Sequence, residues 1–187
     1  MRKWLERKIG GFGDGGAITT DDPGIARVAS LLRYNGEDRE TGEYYYHGQT
    51  ALLDNVQAAV LDVKLAHLPS WLEHRRKIAE LYHRGLEAIA GLSLPRFSSS
   101  DHHDVFQNYV IRTKYRDVLR EHLRDASIET LVHWPKPMWE HKNLRLTDPG
   151  LPESESICRE VLSLPMSGET TPEQVDYTIK KIREFLA

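Results

Sequence analysis

The chain has 187 residues, a formal net charge of -3 and 28% charged residues, values typical of an ordinary globular domain. The mild acidity argues against nucleic acid as a partner, because nucleic-acid-binding surfaces are rich in Lys and Arg. No apolar run approaches the roughly 20 residues that span a bilayer, so no membrane segment is expected. The single cysteine, Cys158, excludes an internal disulfide and is typical of a reducing compartment, which predicts a cytoplasmic protein.

The N-terminal part contains a glycine-rich segment, Gly10–Gly16, which leads into a short predicted strand, Ala17–Thr20. Asp22 predicts the N-cap of a helix that begins at Pro23, because proline is favoured in the first turn of a helix. The segment Tyr34–Gln49 has no helical or strand period, and its length predicts a functional loop.

Two helices are predicted after this loop. Asp54 and Gln57 have the spacing of a capping box, in which Gln57 reaches back to the backbone of the N-cap residue. The apolar face of the first helix is predicted to consist of Leu53, Val56, Val60 and Val63. Pro69 separates it from a second helix, Ser70–Ile89, with residues 73–77 on its solvent side. The buried stripe of this second helix is predicted to be Leu72, Ile78, Tyr82, Leu86 and Ile89.

A turn-rich connector, Gly91–Asp101, precedes a predicted βαβ-like unit. Its first strand contains Val105, Tyr109 and Ile111, and its second strand is Ile128–His133. The helix between them, Tyr115–Leu123, is predicted to turn Val118, Leu119 and Leu123 inward.

The last two predicted helices are Glu153–Leu162 and Pro172–Leu186. Thr171 and Gln174 have capping-box spacing around a proline at the first position of the last helix.

Two motifs have weak functional interpretations. Residues 11–16 match the dinucleotide-binding pattern G-x-G-x-x-G, but that pattern requires a preceding strand and a following helix, whereas a strand is predicted to follow here. A tight glycine turn is the alternative. His102, His103 and Asp104 could ligate a metal, but they lie in a polar connector without a typical ligand spacing, so a solvated turn is favoured and no metal site is predicted.

Two segments carry aromatic and histidine side chains on loops. One is Tyr44–Gly48, and the other is Thr130–Trp139, in which a predicted strand leads to His133 and Trp134 in a proline-containing loop. Such side chains are suited to stacking on, and hydrogen bonding to, a sugar or a nucleotide. The composition fits a packing role equally well.

Five blocks together resemble the DegT/StrS-type nucleotide-sugar aminotransferases, and they occur in that family's order. The blocks are Gly13–Ala17, Leu32–Gly36, Leu53–Ala59, Val132–Pro137 and Leu162–Met166, and the stretch Arg75–Tyr82 fits the same pattern. The resemblance covers the chain from Gly10 to its C-terminus.

This resemblance implies an α/β fold, with an α+β small domain, that is the C-terminal part of the aspartate-aminotransferase-like fold (fold type I) of pyridoxal-phosphate (PLP) enzymes. It implies a remnant of the large PLP-binding domain in residues 1–51 and a small α/β domain in residues 52–187. Family members are about twice as long and form homodimers. Their reaction transfers an amino group from an amino acid, often glutamate, to a keto-sugar nucleotide through PLP.

The resemblance also implies roles for individual residues. Arg7 stands at the position of the family's catalytic lysine, with Lys8 adjacent. A guanidinium stays protonated at neutral pH and cannot act as the reactive amine. Thr50 stands where the family has an asparagine that reaches the cofactor phosphate, and Leu52 replaces an arginine. His133 corresponds to a family histidine near the sugar.

We therefore expect Thr50 at the cofactor and Tyr45, His133 and Trp134 at the substrate. We expect the chain to be inactive alone unless Lys8 replaces the missing lysine. The alternatives are a non-catalytic paralogue that binds a sugar nucleotide or a full-length aminotransferase partner, and a gene fragment whose remaining half is encoded upstream.

Overall fold

The computed structural model describes residues 10–97 and 104–186, which form two compact units. The first unit ends at Pro69 and the second begins at Ser70, whereas the sequence predicted a boundary near Leu52. The assignment of residues 1–51 to a large domain and of residues 52–187 to a small domain stays a prediction.

The first unit contains two helices, one on either side of the loop Tyr34–Gln49. They are α1 (Pro23–Arg33) and α2 (Asn55–Leu65). The predicted N-cap of α1 is confirmed, because Asp22 Oδ1 accepts hydrogen bonds from the backbone N–H groups of Gly24 and Ile25, at 2.7 and 3.2 Å.

Three predictions for the first unit are wrong in detail. Ala17–Thr20 contains a single bridge residue, Ala17, rather than a strand, because no described strand extends beside it. Asp54 is the N-cap of α2, but its side chain makes no capping hydrogen bond. The apolar face is also displaced: Leu61 is the buried residue of α2, while Val56 and Val63 are 72% and 65% exposed. Apolar residues occur on several sides of α2, so periodicity alone does not select the buried one.

The second unit packs helices on a small antiparallel sheet. Its strands are β1 (Tyr109–Arg112) and β2 (Val161–Leu164), which pair in the register Tyr109 to Leu164. Single bridges extend the sheet by Ser93 beside β1 and by Leu131 beside β2. Its helices are α3 (Leu68–Leu86), of which the first two residues belong to the first unit, α4 (Arg116–Asp125), α5 (Pro152–Glu160) and α6 (Pro172–Leu186), with short 3-10 turns at Met138–Glu140 and Lys142–Leu144.

The core of this unit is formed by apolar side chains from α3, α4, α6 and the two strands. The predicted burial of Ile78, Tyr82 and Leu86 is confirmed, whereas Leu72 and Ile89 are only half-buried. The capping box of α6 is also confirmed. The backbone N–H of Thr171 donates to Gln174 Oε1 at 3.0 Å, and the N–H of Gln174 donates to Thr171 Oγ1 at 3.3 Å.

The sheet differs from the predicted βαβ-like unit because a strand was missed. β2 follows α5 directly, in residues that the sequence assigned in part to a helix, and it lies between β1 and the bridge at Leu131. The predicted strand Ile128–His133 is accordingly reduced to that bridge. Val118, predicted to point inward on α4, is 58% exposed.

The predicted solvent side of α3 is also different in the structure. His74, Arg75 and Arg76 are half-buried, and each hydrogen bonds to backbone carbonyls of the 104–107 or 166–170 segments. Within residues 10–97 and 104–186, no helix combines the length and apolar composition needed to cross a membrane.

Candidate functional site

The loop between α1 and α2 is closed by backbone hydrogen bonds at its base. The N–H of Asn35 donates to Gln49 O at 3.3 Å, and the N–H of Gln49 donates to Leu32 O at 3.1 Å. Farther along the loop, the N–H of Tyr45 donates to Gly36 O at 2.9 Å. The loop therefore folds back on itself and begins and ends at nearly the same place.

Two glycines permit this closure. Gly36 has φ +84, and a Cβ placed there would lie 1.8 Å from Tyr46 O. A Cβ at Gly48 would lie 2.3 Å from Gly36 N. Only residues without side chains allow the two backbones to approach this closely. Asn35 also has a positive φ, +58, so the Asn35-Gly36 dipeptide forms a left-handed turn that its sequence could have indicated.

The tip of the loop presents aromatic side chains to solvent. Tyr44, Tyr45 and Tyr46 are 66%, 53% and 45% exposed. Tyr44 Oη donates to Glu37 Oε2 at 3.3 Å, and the nearby Glu37 carboxylate raises the pKa of the Tyr44 hydroxyl. The exposed ring of Tyr45, a predicted substrate residue, is available for stacking on a planar ligand.

Thr50 lies at the base of the loop, where the resemblance places a contact to the cofactor phosphate. Its hydroxyl donates to Asn35 Oδ1 at 2.8 Å, so its single proton is already used inside the loop. Leu52, where the family has an arginine, is 47% exposed and offers no charge. Thr50 and Leu52 therefore do not fit a phosphate group as the family's asparagine and arginine do.

A cleft of about 420 Å³ lies beside the start of this loop. It is lined by three arginines, Arg27, Arg33 and Arg39, and by three carboxylates, Glu37, Asp38 and Glu40. Arg27 approaches Asp38 at 3.8 Å, and the Arg39 guanidinium lies 4.7 Å from the centroid of the Tyr34 ring. Because the lining charges balance, this cleft has no net attraction for an anion.

The two predicted substrate residues of the second unit, His133 and Trp134, follow the bridge at Leu131. Both are exposed, Trp134 by 69%, and they precede Pro135 and Pro137. A separate cleft of about 530 Å³ between the 127–131 segment, the 163–167 segment and α6 is lined by neither of them. Tyr45 and Thr50 thus belong to the first unit, and His133 and Trp134 to the second.

Arg7 and Lys8 lie outside the described residues, as do His102 and His103. Within the part of the chain that the structure describes, no group of three His, Cys, Asp or Glu side chains is placed to hold a metal ion.

A sequence profile of the DegT/DnrJ/EryC1/StrS aminotransferase family matches residues 6–183. The chain belongs to this aminotransferase family. A "Pleiotropic regulatory protein" of Geobacillus stearothermophilus is 38% identical over 186 residues, covering 96% of this chain and 49% of that protein. A dTDP-3-amino-3,4,6-trideoxy-alpha-D-glucose transaminase of Streptomyces venezuelae is 37% identical over 182 residues, covering 96% and 48%.

Comparison with a solved structure supports the same family. The S. venezuelae protein DesV, crystallised in complex with a ketimine intermediate, is similar with a TM-score of 0.89 at 36% identity. The match covers 98% of this chain and 50% of DesV. The predicted family and fold, the C-terminal part of the aspartate-aminotransferase-like fold, are confirmed. The chain spans about half the length of the curated relatives that it matches.

Proposed function

We propose that this chain is the C-terminal part of a PLP-dependent aminotransferase that transfers an amino group from an amino acid to a keto-sugar nucleotide. The observation that carries the proposal is the match of nearly the whole chain to half of DesV, at a TM-score of 0.89. The S. venezuelae transaminase that matches this chain acts on a dTDP-linked amino sugar, which supports a nucleotide-sugar substrate.

We further propose that the chain does not transaminate by itself. Arg7 stands at the position of the catalytic lysine, and a guanidinium does not lose its proton at neutral pH. The hydroxyl of Thr50 is bonded to Asn35, and Leu52 brings no charge to the expected phosphate position. PLP, when bound in a complete site, supplies the electron sink for amino transfer.

The role proposed for this chain is to contribute substrate-loop residues and interface surface to a homodimeric enzyme. The exposed side chains of Tyr45, His133 and Trp134 are of the types that stack on, or hydrogen bond to, a nucleotide sugar. The exposed apolar face of α2, with Val56 and Val63, is of the kind that further protein covers.

Covalent trapping tests the proposed lack of a reactive amine. The chain is incubated with PLP, reduced with borohydride and digested, and the peptides are weighed by mass spectrometry. We expect borohydride to trap PLP on Lys8 of the natural sequence no more than on the exposed Lys114, which gives the background level. Trapping on Lys8 well above that level, together with a cofactor absorbance band that is lost in Lys8→Ala, would contradict the proposal.

Binding of dTDP, followed by isothermal titration calorimetry, tests the substrate role. Tyr45→Ala, His133→Ala and Trp134→Phe should each weaken binding, whereas Tyr115→Ala is the control because Tyr115 is 59% exposed and outside the proposed site. Equal affinity in all variants would reject these substrate residues. Binding that depends on them in a chain without PLP attachment would favour the non-catalytic sugar-nucleotide binder.

A further inference from the structure

The cleft of about 530 Å³ in the second unit has a lining that is polar but almost uncharged. Among residues 10–97 and 104–186, no Lys, Arg or His side chain lines it, and the exposed Glu129 is its single carboxylate. Its volume lies within the roughly 300 to 1,000 Å³ of clefts that hold small ligands. The cleft is therefore suited to an uncharged ligand, because a phosphate or carboxylate group would find no cation to bind it.

Ser163 brings a buried hydroxyl to this cleft. Only 6% of Ser163 is exposed, and its neighbours in β2, Leu162 and Leu164, belong to the apolar core. Side chains alternate along a strand, so the hydroxyl of Ser163 lies on the other face of the sheet from the core. Within the described part of the chain, this hydroxyl lines the cleft and has no hydrogen-bond partner. Since buried hydroxyls are normally hydrogen-bonded, the cleft is the place from which a partner would come.

Two half-buried side chains, Thr130 and Asn108, add further polar groups to the lining. Neither side chain makes a hydrogen bond to another described residue. The backbone that carries them is fixed. The N–H of Ser163 donates to Leu131 O at 2.9 Å, and the N–H of Leu131 donates to Ser163 O at 3.1 Å, while Asn108 directly precedes β1. Two hydroxyls and one amide, all with unused donors and acceptors, are thus presented from the edge of a sheet.

The remaining lining includes apolar surface. Pro165, Met166 and the ring of Tyr177 line the cleft, and Tyr177 is 45% exposed. Tyr177 Oη donates to Ala126 O at 3.4 Å, so its ring is the part that is available to a ligand. A pyranose fits such a lining, because its C–H face packs on an aromatic ring and its hydroxyls both donate and accept hydrogen bonds.

We propose that this cleft binds an uncharged pyranose through the side chains of Ser163, Thr130 and Asn108. The C–H face of the sugar packs against the ring of Tyr177. The pyranose comes either from a free saccharide or from the hexose of a nucleotide sugar whose diphosphate stays outside the cleft. None of the substrate residues under the proposed function lines this cleft, so the inference does not rest on that function.

Titration of the full chain with methyl α-D-glucopyranoside, followed by proton–nitrogen NMR, tests the inference. We expect the amides of residues 127–130 and 163–167 to shift. Addition of dTDP alone should leave these amides unshifted, because no cation lines the cleft. Titration with dTDP-glucose distinguishes the two sources: shifts at the same amides assign the cleft to the hexose of a nucleotide sugar, and their absence assigns it to a free saccharide.

Two variants test the residues. Ser163→Ala and Thr130→Val each remove one hydroxyl and should weaken binding of the glucoside roughly 2- to 10-fold, the effect of losing one neutral hydrogen bond. Thr147→Val is the matched control, because Thr147 is exposed and lies outside the cleft, and it should retain the natural affinity.

Absence of these shifts with the glucoside, or equal affinity in Ser163→Ala, Thr130→Val and the control, would overturn the inference. Larger shifts of the same amides with dTDP than with the glucoside would also overturn it. Should Ser163→Ala not unfold cooperatively on heating, Thr130→Val and Asn108→Ala test the same site. Failure of PLP trapping, or of dTDP binding elsewhere on the chain, leaves the glucoside titration unaffected.

Discussion

Arg112 on β1 and Glu160 at the end of α5 form an ion pair, with Arg112 Nε 2.5 Å from Glu160 Oε2. The same guanidinium donates to Glu153 Oε1 at 2.6 Å and to Ser156 Oγ at 3.0 Å. One side chain therefore joins β1 to three positions on α5, immediately before α5 continues into β2.

This cluster predicts a loss of stability in acid. Hydrogen bonds from Arg112 and Ser156 hold the pKa of Glu160 below its ordinary value of 4.5. A carboxyl whose pKa is lowered in the folded chain stabilises the folded chain at pH values above the unfolded pKa, and this contribution disappears as the pH falls below about 4.5.

We expect Arg112→Met to lower the melting temperature at pH 7 and to make the melting temperature less sensitive to acid. Differential scanning calorimetry from pH 7 to pH 3 measures both effects. Arg159→Met, which removes the ion pairs of a more exposed arginine with Glu140 and Glu155, should change neither, and equal acid sensitivity in all three proteins would reject the role of Arg112.

Tyr82 and Tyr109 form a natural pair for testing a buried hydroxyl. Their rings are stacked with centroids 5.1 Å apart, and both side chains are buried. Tyr82 Oη donates to Pro165 O at 3.0 Å, whereas Tyr109 Oη has no hydrogen-bond partner among the described residues. Tyr82→Phe should therefore cost about 1 kcal/mol, and Tyr109→Phe should be neutral or stabilising. Urea denaturation measures the two free energies of unfolding, and a larger loss in Tyr109→Phe would contradict this assignment.

The same two tyrosines predict weakened stability in alkali. Burial raises the pKa of Tyr82 to about 12, and it raises the pKa of Tyr109 as well. Groups that hold their protons more tightly when folded stabilise the chain below the unfolded pKa, near 10, and this contribution is lost as the pH rises. Absorbance at 295 nm should show that both hydroxyls ionise at a higher pH than the hydroxyl of an exposed tyrosine. The double variant Tyr82→Phe and Tyr109→Phe should lose this high-pH step of the titration. If the step persists in the double variant, it belongs to other tyrosines.

Gly85 of α3 lies against the side chain of Ile179 of α6. A Cβ there would lie 2.4 Å from Ile179 Cδ1, and Ile179 is buried. Overpacking costs about 1 to 3 kcal/mol, while alanine gains about 1 kcal/mol of helix propensity over glycine. Gly85→Ala should therefore destabilise the chain by about 1 kcal/mol. Ile179→Val removes the clashing methyl group, so the double variant should lose less than the sum of the two single changes, as measured by urea denaturation. Gly168→Ala is the control, because a Cβ added at Gly168 would meet no atom of a non-neighbouring residue within 4 Å. If the losses of the two single variants simply add up in the double variant, the clash between Gly85 and Ile179 is rejected.

Arg75 is expected to hold two loops in place. Its Nη1 donates to Gln107 O at 3.2 Å and to Met166 O at 3.1 Å, and partial burial lowers the pKa of its guanidinium. Arg75→Met leaves these carbonyls without their donor and should cost about 1 to 3 kcal/mol. Lys77→Met, on the exposed side of α3, should cost little because its pair with Glu73 is exposed. Thermal unfolding compares the two variants, and equal melting temperatures would contradict the role of Arg75.

Features that depend on residues close together in the chain were predictable from the sequence. The cap of α1 by Asp22 and the capping box of Thr171 and Gln174 each involve residues within three positions, and both are present. The family blocks were equally accessible, because their order is itself a sequence property.

Features that depend on distant residues were not. β2 has only four residues directly after a helix, and its pairing with β1, about fifty residues earlier, makes it a strand. Arg75 was assigned to solvent because its charge is visible in the sequence, while the carbonyls that bind it come from loops 32 and 91 positions away. At the candidate site, the hydrogen bond of the Thr50 hydroxyl could not be predicted, because its acceptor, Asn35, lies fifteen positions earlier.

In the loop Tyr34–Gln49, Gly36 and Gly48 approach each other through backbone atoms alone. The base is fixed by backbone atoms, so its shape does not depend on the identity of the side chains at the tip. At Gly42, within the tip, a Cβ would meet no atom within 4 Å. Substitutions at the tip are therefore expected to leave the attachment of the loop to α1 and α2 unchanged.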